Sequence, residues 1–287
     1  MRWLALVAVL AACGKQRDRP IDKAAAHALF DEVAIDAPPG ISDLTIDDRG
    51  VLWAIPERDR TVIEIRLAGT AATVTAHELV GIPSSIDTEA LAWLGDGTFA
   101  IGLEGAATPI AGIASAKLEG DKVVVTDTHV FDASELPVAP TINHGIEAIC
   151  GRAGDLLAAM ETVGADPDGS RWAPLLRVTG TTTTRAKLHL TTSTGKISAL
   201  SCTIDERGTA HVIAIARHYG VCRILSFDVA RDATDVTPKV EYDLASLIGS
   251  GLNLEGIARL ADGRLVLVND NQGRSADGPT ELLVFHR

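Results

Sequence analysis

The segment NLEGIARLADGRLVLVND, residues 253–270, holds two apolar runs joined by a polar turn that ends in glycine. This pattern is typical of a β-hairpin, because glycine readily adopts the positive φ that tight turns require. The same pattern occurs four more times along the chain, so the sequence predicts five related hairpins. The other four are ISDLTIDDRGVLWAIPE (41–57), TEALAWLGDGTFAIGLE (88–104), IEAICGRAGDLLAAME (146–161) and ISALSCTIDERGTAHVIAIAR (197–217).

The spacing of the turn glycines predicts the fold class. Gly50, Gly97, Gly154, Gly208 and Gly263 follow one another at intervals of 47 to 57 residues. That period suits a four-stranded propeller blade and is too long for ankyrin or tetratricopeptide repeats. We therefore predict an all-β fold, a β-propeller with five blades, or with six if the stretch 105–143 contains another hairpin.

Further apolar runs predict the outer strands of these blades. Third strands are expected at TVIEIR (61–66), LLRV (175–178), RILSF (223–227) and ELLVF (281–285), and an outer strand of the second blade at KVVVTD (122–127). The chain ends after a third strand, so we expect the segment ALFDEVAI (28–35) to complete the last blade and close the ring. A short amphipathic helix is the alternative for that segment.

The N-terminus predicts an exported, lipid-anchored protein. Residues 1–12 combine an early arginine with a short apolar run that ends LAA before Cys13, which resembles the lipobox of bacterial lipoproteins. We expect residues 1–12 to be a signal peptide, 13–27 a lipidated N-terminus and tether, and 28–287 the propeller domain. Gly14 after the cysteine favours the outer membrane, facing the periplasm or the exterior of a bacterial cell. An ordinary signal peptide with an incidental cysteine is the alternative.

Charge limits the partners that this chain could bind. The formal net charge is -12 over 287 residues, which would repel nucleic acid. We expect no nucleic-acid partner, membrane contact through the lipid anchor alone, a monomer, and a small-molecule or phosphoester ligand.

The cysteines predict at most one disulfide within the chain. Lipidation would use Cys13 and leave Cys150, Cys202 and Cys222 in an oxidising compartment. We expect Cys202 to pair with Cys222, and three buried thiols are the alternative. The spacing matches no zinc motif.

Acidic residues recur at two positions when the repeats are aligned on their turn glycines. One column starts the first strand of each hairpin, and the other ends the second strand, so both lie at the same end of every hairpin. The first column reads Asp43, Glu89, Glu147, Ser201 and Glu255. The second reads Glu57, Glu104, Glu161, a break in the fourth repeat, and Asp270.

A ring of carboxylates around the propeller channel needs a compensating charge. Ca²⁺ prefers carboxylate, amide and carbonyl oxygens, and Asn253, Asn269 and Asn271 place amides beside the fifth-repeat acids. We therefore expect Ca²⁺ as the candidate cofactor and no other. Asp43, Glu89, Glu147 and Glu255 are the expected metal ligands, and Glu57, Glu104, Glu161, Asp270 and Asn253 the expected ligand-binding residues.

An alternative needs no ligand: the acids could accept backbone amide hydrogen bonds from neighbouring blades and pair with Arg58, Arg217 or Arg259. In the fourth repeat, Arg217 and His218 fall about where the second acid is expected. Arg217 is thus a candidate to stabilise anionic charge, and His218 and His144 are candidates for proton transfer.

Three short strings carry a resemblance to a known family. They are DTEALA (87–92), NHGIEA (143–148) and NLEGIA (253–258), the last leading into LVNDN (267–271). Together they resemble the phytase-like family, also called esterase-like activity of phytase, and the acidic column is similar to SdiA-regulated periplasmic propellers. Both resemblances imply a propeller outside the cytoplasm, and the first implies ester or phosphoester hydrolysis.

Two functions follow as hypotheses. One is a metal-assisted phosphoester or ester hydrolase, in which the cation polarises the scissile group and Arg217 stabilises the developing charge. The other is a non-catalytic envelope propeller that binds a small ligand or a protein partner. Unpaired polar residues at the mouth would favour the enzyme, and carboxylates satisfied by backbone amides would favour the scaffold.

Overall fold

The computed structural model describes residues 29–218, 220–245, 253–270 and 280–286, and these form strands and connecting turns. No helix in these ranges is long and apolar enough to cross a membrane. The predicted signal peptide, the lipidated Cys13 and the whole tether to residue 27, together with Asn271, lie outside the described residues.

Four-stranded antiparallel units follow one another along the chain, and we call them blades 1 to 5. A first strand, β1 (Phe30–Ile35), precedes them. Blade 1 contains β2 (Ile41–Ile46), β3 (Leu52–Pro56), β4 (Thr61–Ala68) and β5 (Ala71–Val80). Blade 2 contains β6 (Ile86–Gly95), β7 (Thr98–Gly105), β8 (Ala111–Glu119) and β9 (Lys122–Val130).

The remaining blades repeat this order with small additions. Blade 3 contains β10 (Ile146–Arg152), β11 (Asp155–Met160), the short β12 (Gly164–Ala165), β13 (Arg171–Thr179) and β14 (Thr182–His189). Blade 4 contains β15 (Lys196–Ile204), β16 (Ala210–His218), β17 (Val221–Val229) and β19 (Lys239–Asp243), while β18 (Asp235–Val236) pairs with β14 of blade 3. Blade 5 contains β20 (Leu254–Arg259), β21 (Leu265–Asn269) and β22 (Thr280–Phe285).

The blades are arranged in a ring. Their first strands contact one another in a closed cycle, from β2 to β6, β10, β15, β20 and back to β2. Buried hydrophobic clusters lie between successive blades, for example Trp53, Leu91 and Phe99 between blades 1 and 2. The structure therefore confirms the predicted all-β propeller. The stretch 105–143 supplies β8 and β9 of blade 2, which favours five blades over six.

The N-terminal strand closes the ring as predicted. β1 pairs antiparallel with β22, from Phe30 opposite Phe285 to Ile35 opposite Thr280, and so becomes the fourth strand of blade 5. The rings of Phe30 and Phe285 contact edge to face with centroids 4.9 Å apart. The helical alternative for this segment is wrong, because residues 30–35 form a strand that pairs with β22 along its whole length.

The turn glycines define the two ends of the ring. All five adopt positive φ, between 71° and 88°, as the hairpin prediction requires. We call the end that carries these turns the turn end. The opposite end, where the first strand of each blade begins and the second strand ends, we call the mouth.

The predicted pairing of Cys202 with Cys222 is wrong. Cys150 and Cys202 form the disulfide, with Cα atoms 5.6 Å apart, and Cys222 is a buried thiol. Cys202 lies opposite Val212 on β16, whereas Cys222 lies opposite Arg217, five residues further along the same strand. At about 3.3 Å per residue, roughly 16 Å separates the two positions, which is too far for a disulfide.

Candidate functional site

A β-bulge interrupts the first strand of every blade near the mouth. A bulge leaves one residue out of the pairing and redirects its side chain, and such bulges are frequent beside functional sites. In three of the five blades that residue is a glutamate. The bulged residues of blades 1 to 5 are Ser42, Glu89, Glu147, Ser198 and Glu255.

The structure corrects two members of the first acidic column. Asp43 follows the bulge of blade 1, and its carboxylate accepts hydrogen bonds from the backbone amides of Leu44 (2.7 Å) and Leu91 (2.8 Å). It therefore links blade 1 to blade 2, as the ligand-free alternative expects, and is not placed as a metal ligand. Ser201 lies three residues past the bulged Ser198, because β15 has a longer run between its bulge and its turn.

Burial of Asp43 has an electrostatic cost. The side chain is fully buried, and burial raises its pKa well above the ordinary value, while the amides of Leu91 and Leu44 offset part of that shift.

In blades 1, 2, 3 and 5 the second acidic column lies where the alignment placed it, seven residues after the turn glycine, and in blade 4 the equivalent position is Arg217, nine residues after Gly208. Its members end the second strands of the five blades, and each faces the residue two positions before the bulge on the neighbouring first strand. The second column is Glu57, Glu104, Glu161, Arg217 and Asp270. The facing residues are Gly40, Asp87, Gly145, Lys196 and Asn253.

This facing position contains two site residues that the sequence alignment missed, Asp87 and Lys196. Asp87 lies opposite Glu104, and Lys196 opposite Arg217. The signal that could have found them is the antiparallel register, because the strand partner of each column residue is fixed once the bulge is located.

Four carboxylates converge between blades 1 and 2. Ligand oxygens of Glu57, Asp87, Glu89 and Glu104 lie within 4.8 Å of one another, and we call these residues the four-carboxylate cluster. Across the described ranges, the only cation at ion-pair distance is Arg58, which lies 2.7 Å from Glu57 and 3.9 Å from Asp87. Arg58 approaches from solvent, with 62% of its side chain exposed.

The two central carboxyls of this cluster are strained electrostatically. Burial, followed by the charge of Glu147, raises the pKa of Glu89 well above its ordinary value and that of Glu104 to about 7. Oε2 of Glu104 accepts a hydrogen bond from the amide of Gly145 at 3.2 Å. Oε1 of Glu89 is buried and has no hydrogen-bond partner in the part of the chain that the structure describes. Glu89 also shares a side-chain hydrogen bond with Glu104, and its buried Oε1 is placed to accept a further contact from a bound cation.

The other side of the mouth carries its own cations. Lys196 lies 3.1 Å from Glu147 and also contacts Glu161, and Nε of Arg217 donates to Glu255 at 2.8 Å. Burial disfavours the charge of Lys196, but Glu147 and Glu161 oppose that effect and the pKa of Lys196 is raised. Lys196 and Arg217 therefore neutralise this half of the ring, which we call the cationic side.

Blade 5 completes the mouth with an amide. Nδ2 of Asn253 donates to Glu255 (2.9 Å) and to Asp270 (3.0 Å), so this amide joins two members of the acidic columns. Asn269 is also buried here, and its side-chain oxygen accepts from the amide of Asn253 at 2.6 Å. These contacts hold the carboxylates in place and leave the four-carboxylate cluster without an equivalent partner.

The two candidate histidines both lie at the mouth. His218 follows Arg217 at the end of β16, and burial, reinforced by the charges of Lys196 and Arg217, lowers its pKa, which favours a neutral imidazole. His144 is exposed on the loop before β10, with Nδ1 2.9 Å from the carbonyl oxygen of Ile142. Arg259, by contrast, ends β20 at the turn end, so its expected pairing with the mouth acids is wrong.

Comparison with protein-family models matches residues 37–273 to the family described as Phytase-like: Esterase-like activity of phytase. A search of curated protein sequences finds no match.

Solved structures share the fold at low sequence identity. The allergen Mala s 1 of Malassezia sympodialis aligns with TM-score 0.55 and 11% identity, over 89% of this chain and 95% of that one. A PQQ-bound aldose sugar dehydrogenase of Streptomyces coelicolor aligns with TM-score 0.51 and 11% identity, over 90% of this chain and 98% of that one. A thermostable family-43 glycoside hydrolase aligns with TM-score 0.50 and 11% identity, over 89% of this chain and 92% of that one. At these identities the likeness establishes a propeller-type fold and nothing about chemistry.

Proposed function

This chain belongs to the phytase-like family, and from that premise we propose that it is a cation-dependent hydrolase of phosphoester or carboxylester bonds that acts at the mouth of the ring. The family match covers most of the propeller and confirms the first of the two resemblances noted in the sequence. The observation that carries the proposal is the four-carboxylate cluster, which gathers four acids around one point; among the residues that the structure describes, the one cation beside them is the solvent-exposed Arg58.

The donor set fits a hard divalent cation. Two carboxylates 4.8 Å apart repel by about 3 kcal/mol at an effective dielectric constant near 20, and the cluster contains several such pairs. Ca²⁺ would replace this repulsion with attraction and would give the orphaned Oε1 of Glu89 a partner. Without a cation, the raised pKa values of Glu89 and Glu104 imply that the cluster retains protons instead.

The mouth also offers groups for an anionic substrate. The Arg217 guanidinium has five N–H donors, and Nε and one terminal nitrogen contact Glu255. This pairing fixes the orientation of the guanidinium and so the direction of its remaining N–H donors. Arg217 and Lys196 would bind a phosphate or developing oxyanion from the cationic side, and the neutral imidazole of His218 would take or deliver a proton. A bound cation would supply Lewis-acid polarisation of the phosphoryl or carbonyl oxygen.

A non-catalytic ligand-binding propeller is the second candidate, and one observation favours it. Asp43, Glu147, Glu161 and Glu255 are each satisfied by a backbone amide or an internal cation, as a ring that only holds its blades in register would require. In that case the mouth would bind a small ligand or a protein partner without turnover.

We further propose that the protein is a lipid-anchored monomer of the bacterial envelope, attached through Cys13 to the outer membrane. The path of the chain supports an orientation. β1 begins with Phe30 at the turn end and runs toward the mouth. A tether that ends at residue 27 would therefore hold the ring by its turn end and leave the mouth open to solvent.

The test is a panel of phosphomonoester, phosphodiester and carboxylester substrates, assayed with the full chain after chelator treatment and again after addition of Ca²⁺. The proposal expects turnover of at least one ester class that Ca²⁺ restores and that Glu89→Gln abolishes. Glu119→Gln, an exposed acid at the end of β8, is the matched control and should retain full activity. Calcium binding without turnover of any ester would favour the ligand-binding candidate.

A further inference from the structure

A second concave surface lies between blades 4 and 5, away from the mouth. It has a volume of about 290 Å³ and borders the glycine turn of blade 5 at Gly263. Its floor consists of the apolar residues Ile213, Ile224, Leu265 and Phe285, of which the last three are buried, so the floor itself exposes little apolar surface. We call this surface the turn-end groove. Its size is near the lower limit of pockets that hold small organic ligands.

An aromatic wall flanks the floor of the groove. Tyr242 lies on β19, the outer strand of blade 4, and 43% of its surface is exposed. Its ring packs against that of Phe285 with centroids 4.7 Å apart. The exposed face of a tyrosine ring beside an apolar floor is a favourable surface for another flat or aliphatic group.

The charges that line the groove leave one cation uncompensated. Arg264 pairs with Asp262 at 2.8 Å, His286 with Asp31 at 3.0 Å, and Glu241 with Lys239 at 2.9 Å. Arg259 also lines the groove, and within residues 29–218, 220–245, 253–270 and 280–286 it has no hydrogen-bond or ion-pair partner. The chain as a whole has a net charge of -12, so the Arg259 guanidinium gives this groove a local preference for anionic ligands.

We propose that the turn-end groove binds a small amphipathic anion, with its apolar part against the exposed ring of Tyr242 and its carboxylate, sulfate or phosphate group paired with Arg259. Guanidinium groups bind such anions through two parallel hydrogen bonds, and the apolar contact adds affinity in proportion to the buried area. A cationic ligand would be repelled by Arg259, and a purely polar anion would leave the exposed ring of Tyr242 uncovered. This site is independent of the hydrolase proposal, because it lies away from the mouth and uses none of its residues.

The experiment is isothermal titration of the full chain with 2-naphthoate as the probe, compared with neutral 2-naphthalenemethanol. We expect naphthoate to bind about tenfold more tightly than the alcohol, and Arg259→Gln to remove that preference. Tyr242→Ala should weaken both probes. Arg207→Gln, an exposed arginine in the turn of blade 4, is the matched control and should change neither affinity.

Several results would overturn the proposal. They are no measurable naphthoate binding, equal binding of acid and alcohol, or equal losses in the Arg259 and Arg207 variants. Loss of naphthoate binding on addition of Ca²⁺ or chelator would place the probe at the mouth and would equally contradict it. Unchanged melting temperatures of the variants show that each one is folded.

Discussion

Replacement of Glu89 by glutamine separates cation binding from the intrinsic stability of the fold. Burial and the charge of Glu147 raise the pKa of Glu89 well above its ordinary value, which favours the protonated carboxyl when no cation is bound. Glutamine has nearly the shape and the neutral charge of that protonated form. We therefore expect Glu89→Gln to leave the chelated protein within about 0.5 kcal/mol of the wild type, as for substitutions that break no contact.

The effect of calcium should be different. Ca²⁺ at a hundredfold excess over its dissociation constant stabilises the wild type by about 2.7 kcal/mol, since the unfolded chain lacks the site. Glu89→Gln removes one of the four carboxylate ligands. If this change raises the dissociation constant for Ca²⁺ a hundredfold, the calcium increment falls to about 0.4 kcal/mol at the same calcium concentration. For a chain of this size the wild-type increment corresponds to roughly 5 °C in melting temperature.

The assay is a thermal melt of wild type, Glu89→Gln and the control Glu119→Gln, each with chelator and with Ca²⁺. The reasoning is refuted if the two wild-type melts coincide, or if Glu89→Gln retains the full calcium increment. A large loss of stability in chelated Glu89→Gln would mean that the ionised carboxylate holds the fold together instead.

Other predictions concern the groups around the mouth and the covalent links. Because the pKa of Glu104 is raised to about 7, the folded protein keeps a proton that the unfolded chain loses near pH 4.5. As the pH rises from 4.5 to 7, the free energy of unfolding of the chelated protein should therefore fall by up to roughly 3 kcal/mol. Ca²⁺ should suppress this loss, which thermal melts at several pH values would measure. Asp43→Asn should cost about 1–3 kcal/mol with or without calcium, since it leaves one backbone amide unsatisfied, and a calcium-dependent loss in chemical denaturation would argue against the interblade role. Cys13→Ser should move the protein from the membrane to the soluble fraction, and unchanged fractionation would rule out lipidation. Replacing Cys150 and Cys202 by serine opens a link across 52 residues and should lower the unfolding free energy by about 4 kcal/mol in urea titrations, whereas equal stability would exclude the disulfide.

The sequence predicted the parts of the fold that depend on local rules. The glycine turns were recognisable because positive φ at a hairpin leaves few alternatives to glycine, and the structure gives all five such angles. The N-terminal closing strand was predictable because an unpaired edge at the last blade needed a partner. In blades 1, 2, 3 and 5 the second acidic column could be counted from the turn, because each member lies seven residues after the turn glycine; in blade 4 Arg217 lies nine residues after Gly208 and could not be counted in this way.

The first column could be counted only in part. A bulge in each first strand shifts the register by one residue, so spacing could not separate Ser42 from Asp43. In blade 4 the longer run from bulge to turn moved the equivalent position from Ser201 to Ser198 and concealed Lys196. The pairing of Cys150 with Cys202 was also beyond the sequence, because it depends on contact between the first strands of neighbouring blades.

The most direct test of the account is a crystal structure of the full chain grown with Ca²⁺, with calcium anomalous scattering measured at long wavelength. The account predicts one anomalous peak within coordination distance of Glu57, Asp87, Glu89 and Glu104, at about 2.3–2.6 Å from their oxygens. A mouth without any such peak, or a peak only among Glu104, Glu147 and Glu161 with Lys196 displaced, would contradict it.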